Sequence, residues 1–384
     1  MTQISRQALS PNSWFGIKRL LAACLLTLTQ SVIQVPAAEG AVGIFNGHRD
    51  IGRTSQKGDA VHDGATGLYV VSGGGENMWF TNDALHFVST RRSGDFVLEA
   101  TIDWLGTGGN AHRKACLIAR EDLSPEAAYV DVAVHGDGLT SLQFREAKGG
   151  PTREIQASLP HSGRVALGRR GDTFWMAIQS KEGAWVPAGP FIRITLKDPV
   201  HLGLGVCAHD DRVLEKARFG DVRIAAGAAN ENERPVLHST LETVSIGSRD
   251  RRAVHTTKGL IEAPNWSRDG RHLYFNGQGR IHRLALTGGA LDLVDTGFAN
   301  RCNNDHGISP DGTQLVISDH SRTGKSLIYV LPIEGGTPRL VTPLGPSYWH
   351  GWSPDGKTLV YCAERQGEYD VYTIPVEGGE ERRL

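Results

Sequence analysis

One phrase recurs three times in the second half of the chain and constrains its fold more than any other feature. It reads NWSRDGRHLYF over residues 265–275, GISPDGTQLVIS over 307–318 and GWSPDGKTLVYC over 351–362. The aspartates of its Ser-x-Asp-Gly turn, Asp269, Asp311 and Asp355, lie 42 (311 − 269) and 44 (355 − 311) residues apart. A period in the forties built from short strands is the mark of a propeller blade. Each copy has four extended segments. A lead-in strand reaches the turn, and an apolar strand follows it (HLYF, QLVIS, TLVYC). A third strand is rich in β-branched or aromatic residues, and a short fourth follows a Gly-Gly pair at 288–289, 335–336 or 378–379. Proline presets φ at the second turn position and glycine relaxes the exit. Arg268 replaces that proline in the first copy, which the turn tolerates. No such sheet buries both faces alone, so the copies must stack on one another.

Two further strands, over residues 243–247 and 252–257, precede the first copy, which brings the count to about three and a half blades. Propellers typically hold roughly four to eight blades in a closed ring. The expectation is therefore a partial propeller over residues 239–384, truncated or completed by other material, with a compact four-bladed or open array as the alternative. An uncovered sheet edge would be an aggregation hazard.

The first half has a period of two. Phe96, Leu98, Ala100, Ile102 and Trp104 alternate with Val97, Glu99, Thr101 and Asp103, and Val130, Val132 and Val134 repeat the pattern. Hairpin signals sit at 136–138 and at Gly171-Asp172. No helix-period run of useful length appears. The chain reads as all-β: an antiparallel β-sandwich over 39–225, a linker over 226–238 that loses all alternation, and the blades.

The N-terminus is an export signal. Basic residues end at Lys18 and Arg19, an apolar run follows over 20–29, and small residues close it near Ala37 and Ala38, so residues 1–38 would be removed. The run is interrupted by polar residues and is short for the ~20 residues of a stable membrane span. A lipoprotein reading at Cys24 fails for the same reason, since four apolar residues separate it from Arg19. Localisation is thus periplasmic or secreted. Formal net charge is −1 for the whole chain, and losing Arg6, Lys18 and Arg19 takes it to −1 − 3 = −4. Nothing there attracts a phosphate backbone, which argues against nucleic-acid binding. The remaining cysteines, Cys116, Cys207, Cys302 and Cys362, form no C-x-x-C and read as buried thiols, with a Cys302–Cys362 disulfide left open.

The repeats resemble the TolB-type, WD-like propeller repeats of bacterial periplasmic proteins, through W-S-P-D-G, an apolar strand and I-Y before the Gly-Gly pair. Residues 72–102, with RRGDTFW at 169–175 and ARFGDVRI at 217–224, resemble the concanavalin A-like jelly rolls attached to bacterial exported proteins. That second likeness implies two curved antiparallel sheets and a concave face that in relatives often meets glycans.

Catalytic signatures are missing: there is no H-E-x-x-H, G-x-S-x-G or phosphate loop. The E-x-D-x-x-E strand of jelly-roll glycosidases is also absent, and Glu99 with Asp103 reads as a solvated face. Among Trp79, Trp104, Trp175 and Trp185, the last is the best exposed candidate for stacking on a sugar, and Trp104 reads as core. The most interesting polar residues lie just before the repeat turns: Asn303, Asp305 and His306 in the second copy, Trp349 and His350 in the third. His306 and His350 share a repeat position and should face one region near the channel, where they could hold a divalent metal. Channel histidines do this in oligogalacturonate lyases, whose propeller this one resembles. Pro264 stands at that position in the first copy.

The preferred expectation is an exported, non-enzymatic binding or scaffold protein without a cofactor. Its sandwich would contact a glycan or envelope polymer, and its propeller would offer a platform to an envelope protein. The alternative is a metal-assisted polysaccharide lyase or hydrolase. A third view has the sandwich merely docking to the propeller.

Overall fold

The computed structural model describes residues 40–384 apart from 108, 160–162 and 228–236. The export signal expected over 1–38 lies outside the described residues, as does most of the linker expected over 226–238. Among the described residues every regular element is a strand, and no helix is long and apolar enough to cross a membrane.

Two large sheets make up the first half. The first runs, in spatial order, Gly47–Ile51, Leu85–Arg92, Val200–Cys207, Lys114–Arg120, Tyr129–His135, Thr140–Arg145 and Arg153–Gln156, with two further strands described below. The second has Phe96–Leu105 and Glu215–Ala226 at its centre, flanked by Arg164–Arg170 and Thr173–Gln179 on one side and Leu68–Gly73 on the other. They share one core. Phe96, Leu98, Ala100 and Ile102 from the second sheet meet Val130, Val132, Val134, Leu202 and Leu204 from the first. The alternation read from the sequence is what places them there, because side chains two apart on a strand share a face. Each fully buried branched side chain contributes about 1.5–3 kcal/mol of transfer free energy.

The opposite face of the first sheet is buried as well. Tyr129, Asp131, Ala133 and His135 alternate with the core valines and are all nearly inaccessible. A small hairpin, Met78–Trp79 with Asn82–Asp83, covers part of this face. It is held by Asp83, which receives Arg120 Nη1 at 2.8 Å and Arg145 Nη2 at 2.7 Å, with all three side chains fully buried. Arg145 also donates to the carbonyls of Pro125, Ala127 and Gly150. Arg120 donates to the carbonyls of Asp122 and Ser124, and such bonds offset the cost of burying a charge trio.

Each repeat forms its own four-stranded antiparallel sheet. In the second, Cys302–Ile308, Gln314–Asp319, Leu327–Pro332 and Arg339–Leu340 follow in order. The turn explains its own sequence. Ser309 Oγ donates to Asp311 Oδ1 at 2.5 Å, the Thr313 N–H donates to the same oxygen at 3.0 Å, and the Gln314 N–H donates to Ser309 Oγ at 2.9 Å. The same three bonds recur around Ser267 and Asp269 and around Ser353 and Asp355. Gly312 adopts φ 78°, a region costly for residues with a Cβ. Neighbouring sheets share cores: Tyr274 and Ile281 pack with Leu315 and Ile317, and Val316 and Ile328 pack with Leu359 and Tyr361.

The half blade expected before the first copy is not a separate sheet. Its strands, His238–Val244 and Arg251–Lys258, form a hairpin whose second strand pairs in parallel with Arg153–Gln156, through Ile155↔Arg251 and Gln156↔Arg252. The hairpin therefore extends the first large sheet to nine strands. It also packs against the first repeat sheet, where Leu241 and Val254 meet Leu273, Phe275 and Leu284. Free backbone donors and acceptors on the edge strand outweighed the repeat pattern here, since an open edge is a template for another strand.

Candidate functional site

The outward face of the nine-stranded sheet carries a row-by-row set of polar residues. Cross-strand register puts Asp131 beside Gln143 and Gln143 beside Glu154, while Lys114 lies opposite His135 and Ser141 opposite Gln156. All point one way because paired residues in a ladder share a face. Of these, Lys114, His135, Gln143, Glu154 and Gln156 line a cleft of about 250 Å3 together with Asn77, Trp79, His112, Leu139 and His209.

The hydrogen bonds leave unused capacity in this cleft. Gln143 Nε2 donates to Glu154 Oε1 at 3.0 Å and Gln156 Nε2 donates to Glu154 Oε2 at 3.2 Å. His135 Nε2 sits 3.3 Å from Ser141 Oγ and 3.6 Å from Glu154 Oε1. Gln143 Oε1 and His135 Nδ1 are buried without a partner. Leaving such a group unpaired costs about 1–3 kcal/mol. Lys114 Nζ donates to Asn77 Oδ1 at 2.8 Å and to the Met78 carbonyl at 3.0 Å, and lies 5.3 Å from the Trp79 ring centre.

Burial and the Lys114 ammonium pull the His135 pKa down to about 4, and the same two causes lower His209. Both rings are therefore neutral at pH 7, able to donate at one nitrogen and accept at the other. Deeper on the same strand, neither Asp131 oxygen has a hydrogen-bond partner of normal geometry. Burial pushes its pKa up to about 8, against the opposing pull of Lys114. Glu154 is the single carboxylate lining this cleft among the described residues.

The residues singled out from the sequence are placed elsewhere. His306 is buried in Cys302–Ile308, opposite Ile317. Neither of its ring nitrogens has a hydrogen-bond partner of normal geometry. Burial lowers its pKa to about 4, against a weaker pull from the Tyr274 and Asn304 backbone. His350 is exposed in a bulge between Trp349, opposite Tyr361, and Gly351, opposite Val360. The expectation that the two histidines face one region is thus corrected: the irregularity covers 303–305 in the second copy, leaving His306 in register, but is residue 350 itself in the third. Asp305 is half-buried, accepts from Asn303 Nδ2 at 2.9 Å, and has its pKa raised by burial, with His350 pulling the other way. Asn303 and Asp305 therefore lie near His350, and His306 does not join them. Among the described residues no three His, Cys, Asp or Glu side chains gather as metal ligands. This donor set does not fit a divalent ion.

Trp349 packs over Gly307, where a Cβ would lie 2.1 Å from its ring, and serves the contact between repeat sheets. Trp185 stands on the short strand Trp185–Pro187 with the Arg164 guanidinium 5.5 Å from its ring, outside the polar cleft. Trp79 is the tryptophan that lines it. Glu99 and Asp103 pair separately with Arg164 at 3.1 Å and Arg218 at 3.0 Å. Cys116, Cys207, Cys302 and Cys362 are all free thiols. Sequence reading missed Lys114, His135, Gln143 and Glu154. The available signal was a polar residue between core valines, as in YVDVAVH, on a strand buried on both faces.

Comparison with known proteins gives partial matches. The chain is 52% identical over 149 residues to an uncharacterised protein of Agrobacterium fabrum, which is 38% of this chain and 51% of that one. It is 35% identical over 77 residues to a TolB homologue of Chlorobaculum tepidum, covering 20% of this chain and 18% of the homologue. A solved structure described as a putative TolB from Agrobacterium tumefaciens is 51% identical, covering 39% of this chain and 55% of that one, with a TM-score of 0.38. The chain thus spans about half the length of the Agrobacterium fabrum relative. No protein-family profile matches. The likeness to the Chlorobaculum tepidum homologue supports a TolB-type propeller.

Proposed function

We propose that this chain is an exported binding protein of the periplasm or cell exterior, in which a concanavalin A-like sandwich holds a glycan or envelope polymer. The TolB-type repeat sheets act as its platform for an envelope partner. The observation that carries this reading is the polar cleft with its unpartnered Gln143 Oε1 and His135 Nδ1 beside Trp79. Amides, neutral imidazoles and one carboxylate offer donors and acceptors in close alternation, which suits the hydroxyls of a sugar. A half-buried indole offers a flat apolar face to a ring's C–H groups. A lipid chain would call for a dry wall, and most of the side chains lining this cleft are polar. Cleavage of a glycosidic bond by acid and base needs a second carboxylate across the cleft, and Glu154 has none there.

Calorimetric titration of the exported chain with soluble polysaccharides tests the reading. Wild type should bind at least one, and Glu154→Gln, which keeps shape but loses charge, should weaken it by about tenfold. Failure to bind any polysaccharide in the panel would sink the proposal.

A further inference from the structure

The polar cleft does not stop at the sandwich. Leu139 and Gln156 wall both it and a second cleft of about 740 Å3. One side of that second cleft is sandwich. Its other walls are Arg252 and Thr256 from the added hairpin and Leu286 and Thr287 from the end of the first repeat sheet. The parallel pairing of Gln156 with Arg252 is what sets these surfaces edge to edge.

The second cleft carries the same mark of unfilled capacity as the first. Thr140 Oγ1 and Thr256 Oγ1 are buried without a partner, and Thr140 is only 3% exposed. Thr140 stands opposite Val134, so it lies on the other face of the sheet from Gln143, and the two clefts meet at Leu139 and Gln156. Size points the same way. At about 250 Å3 the polar cleft is smaller than the ~300–1,000 Å3 of ordinary small-molecule sites, whereas the junction cleft falls well inside that range.

We infer that the two clefts form one continuous site for a linear oligosaccharide, whose first units sit beside Trp79 and Glu154 and whose later units cross onto the hairpin and first repeat sheet. This rests on the glycan-binding reading above and deepens it. A linear chain is the ligand that fits, because hydrogen-bonding groups recur along the track with apolar stretches (Leu139, Leu286) between them for sugar-ring faces. The hairpin that leaves the repeat series thereby carries ligand subsites, and the sandwich and repeats bind as one unit.

The test is a length series. Cello-, chito- and polygalacturonate oligomers, from dimers to octamers, are titrated into the exported chain and into an Arg252→Ala, Thr256→Val double variant. Wild-type affinity should rise with length. The double variant should match wild type for dimers and lose about tenfold, ~1.4 kcal/mol, for hexamers. Equal hexamer affinity in both proteins, or no gain beyond the dimer in wild type, overturns the inference. If Glu154→Gln weakens all lengths while the double variant weakens none, only the continuous site falls. If wild type binds no oligomer, the glycan reading falls with it. Thermal melts identical to wild type establish that the double variant is folded.

Discussion

His306 pairs with Ile317 and is buried, whereas His350, its counterpart 44 residues later (350 − 306), stands exposed in a bulge between Trp349 and Gly351. Equivalent sequence positions thus carry opposite environments. The consequence is thermodynamic. The folded pKa of His306 is about 4 against 6.5 for an ordinary histidine, so its share of stability is full above pH 6.5 and lost as pH falls towards 4. Wild type should lose up to ~1.4 kcal/mol per pH unit through this group over that window. A His306→Phe variant should show a shallower acid slope and match or exceed wild type at pH 5, since it removes two unpaired nitrogens. Thermal unfolding from pH 4 to 7 measures this, and parallel slopes would refute it.

Asp131 titrates in the opposite sense. Its folded pKa of about 8 lies above the ordinary 3.8, so its contribution is full below 3.8 and lost as pH rises through 8. Asp131→Asn should flatten the decline in stability between pH 6 and 8.5, by at most ~1.4 kcal/mol per pH unit. Denaturant melts at both ends of the window would reveal the change.

Asp83 neutralises two buried guanidinium groups. Asp83→Ala would leave Arg120 and Arg145 without their counter-charge, and a loss of roughly 3–5 kcal/mol is expected. Because the same carboxylate anchors the 78–83 hairpin over the sheet, amide exchange at Met78 and Trp79 should speed up together with the fall in stability. Normal exchange in a destabilised protein would show that the hairpin is held by something else.

The repeat turns should respond in concert. Gly312→Ala forces a Cβ onto φ 78° and is expected to cost roughly 1 kcal/mol. Asp311→Ala removes acceptors for the Ser309 hydroxyl and the Thr313 N–H and should lower the melting temperature as well. Since both act on one turn, the double variant should lose less than the sum of the two.

Much of this fold was legible because local chemistry carried it. The Ser-x-Asp-Gly turn closes on its own hydrogen bonds, so each copy's strands, turn and Gly-Gly pair could be read off three times over. The alternation at 96–104 named its own core face for the same reason. The polar cleft was less legible. Val130, Val132 and Val134 announced a buried strand, yet nothing local says that Asp131 and His135 on the reverse side would meet Gln143, Glu154 and a Trp79 some fifty residues upstream (131 − 79 = 52).

By itself, then, the sequence determined the all-β class, the three four-stranded repeat sheets and the core face of the strands at 96–104 and 130–134, because turns and side-chain alternation act over a few residues. Tertiary structure alone decided where the hairpin of His238–Val244 and Arg251–Lys258 would attach, which of two equivalent histidines would be buried, and which polar groups would converge. Those outcomes depend on edge pairing and one-residue register shifts between distant segments, where a small difference in hydrogen-bonding opportunity moves a side chain to the opposite face.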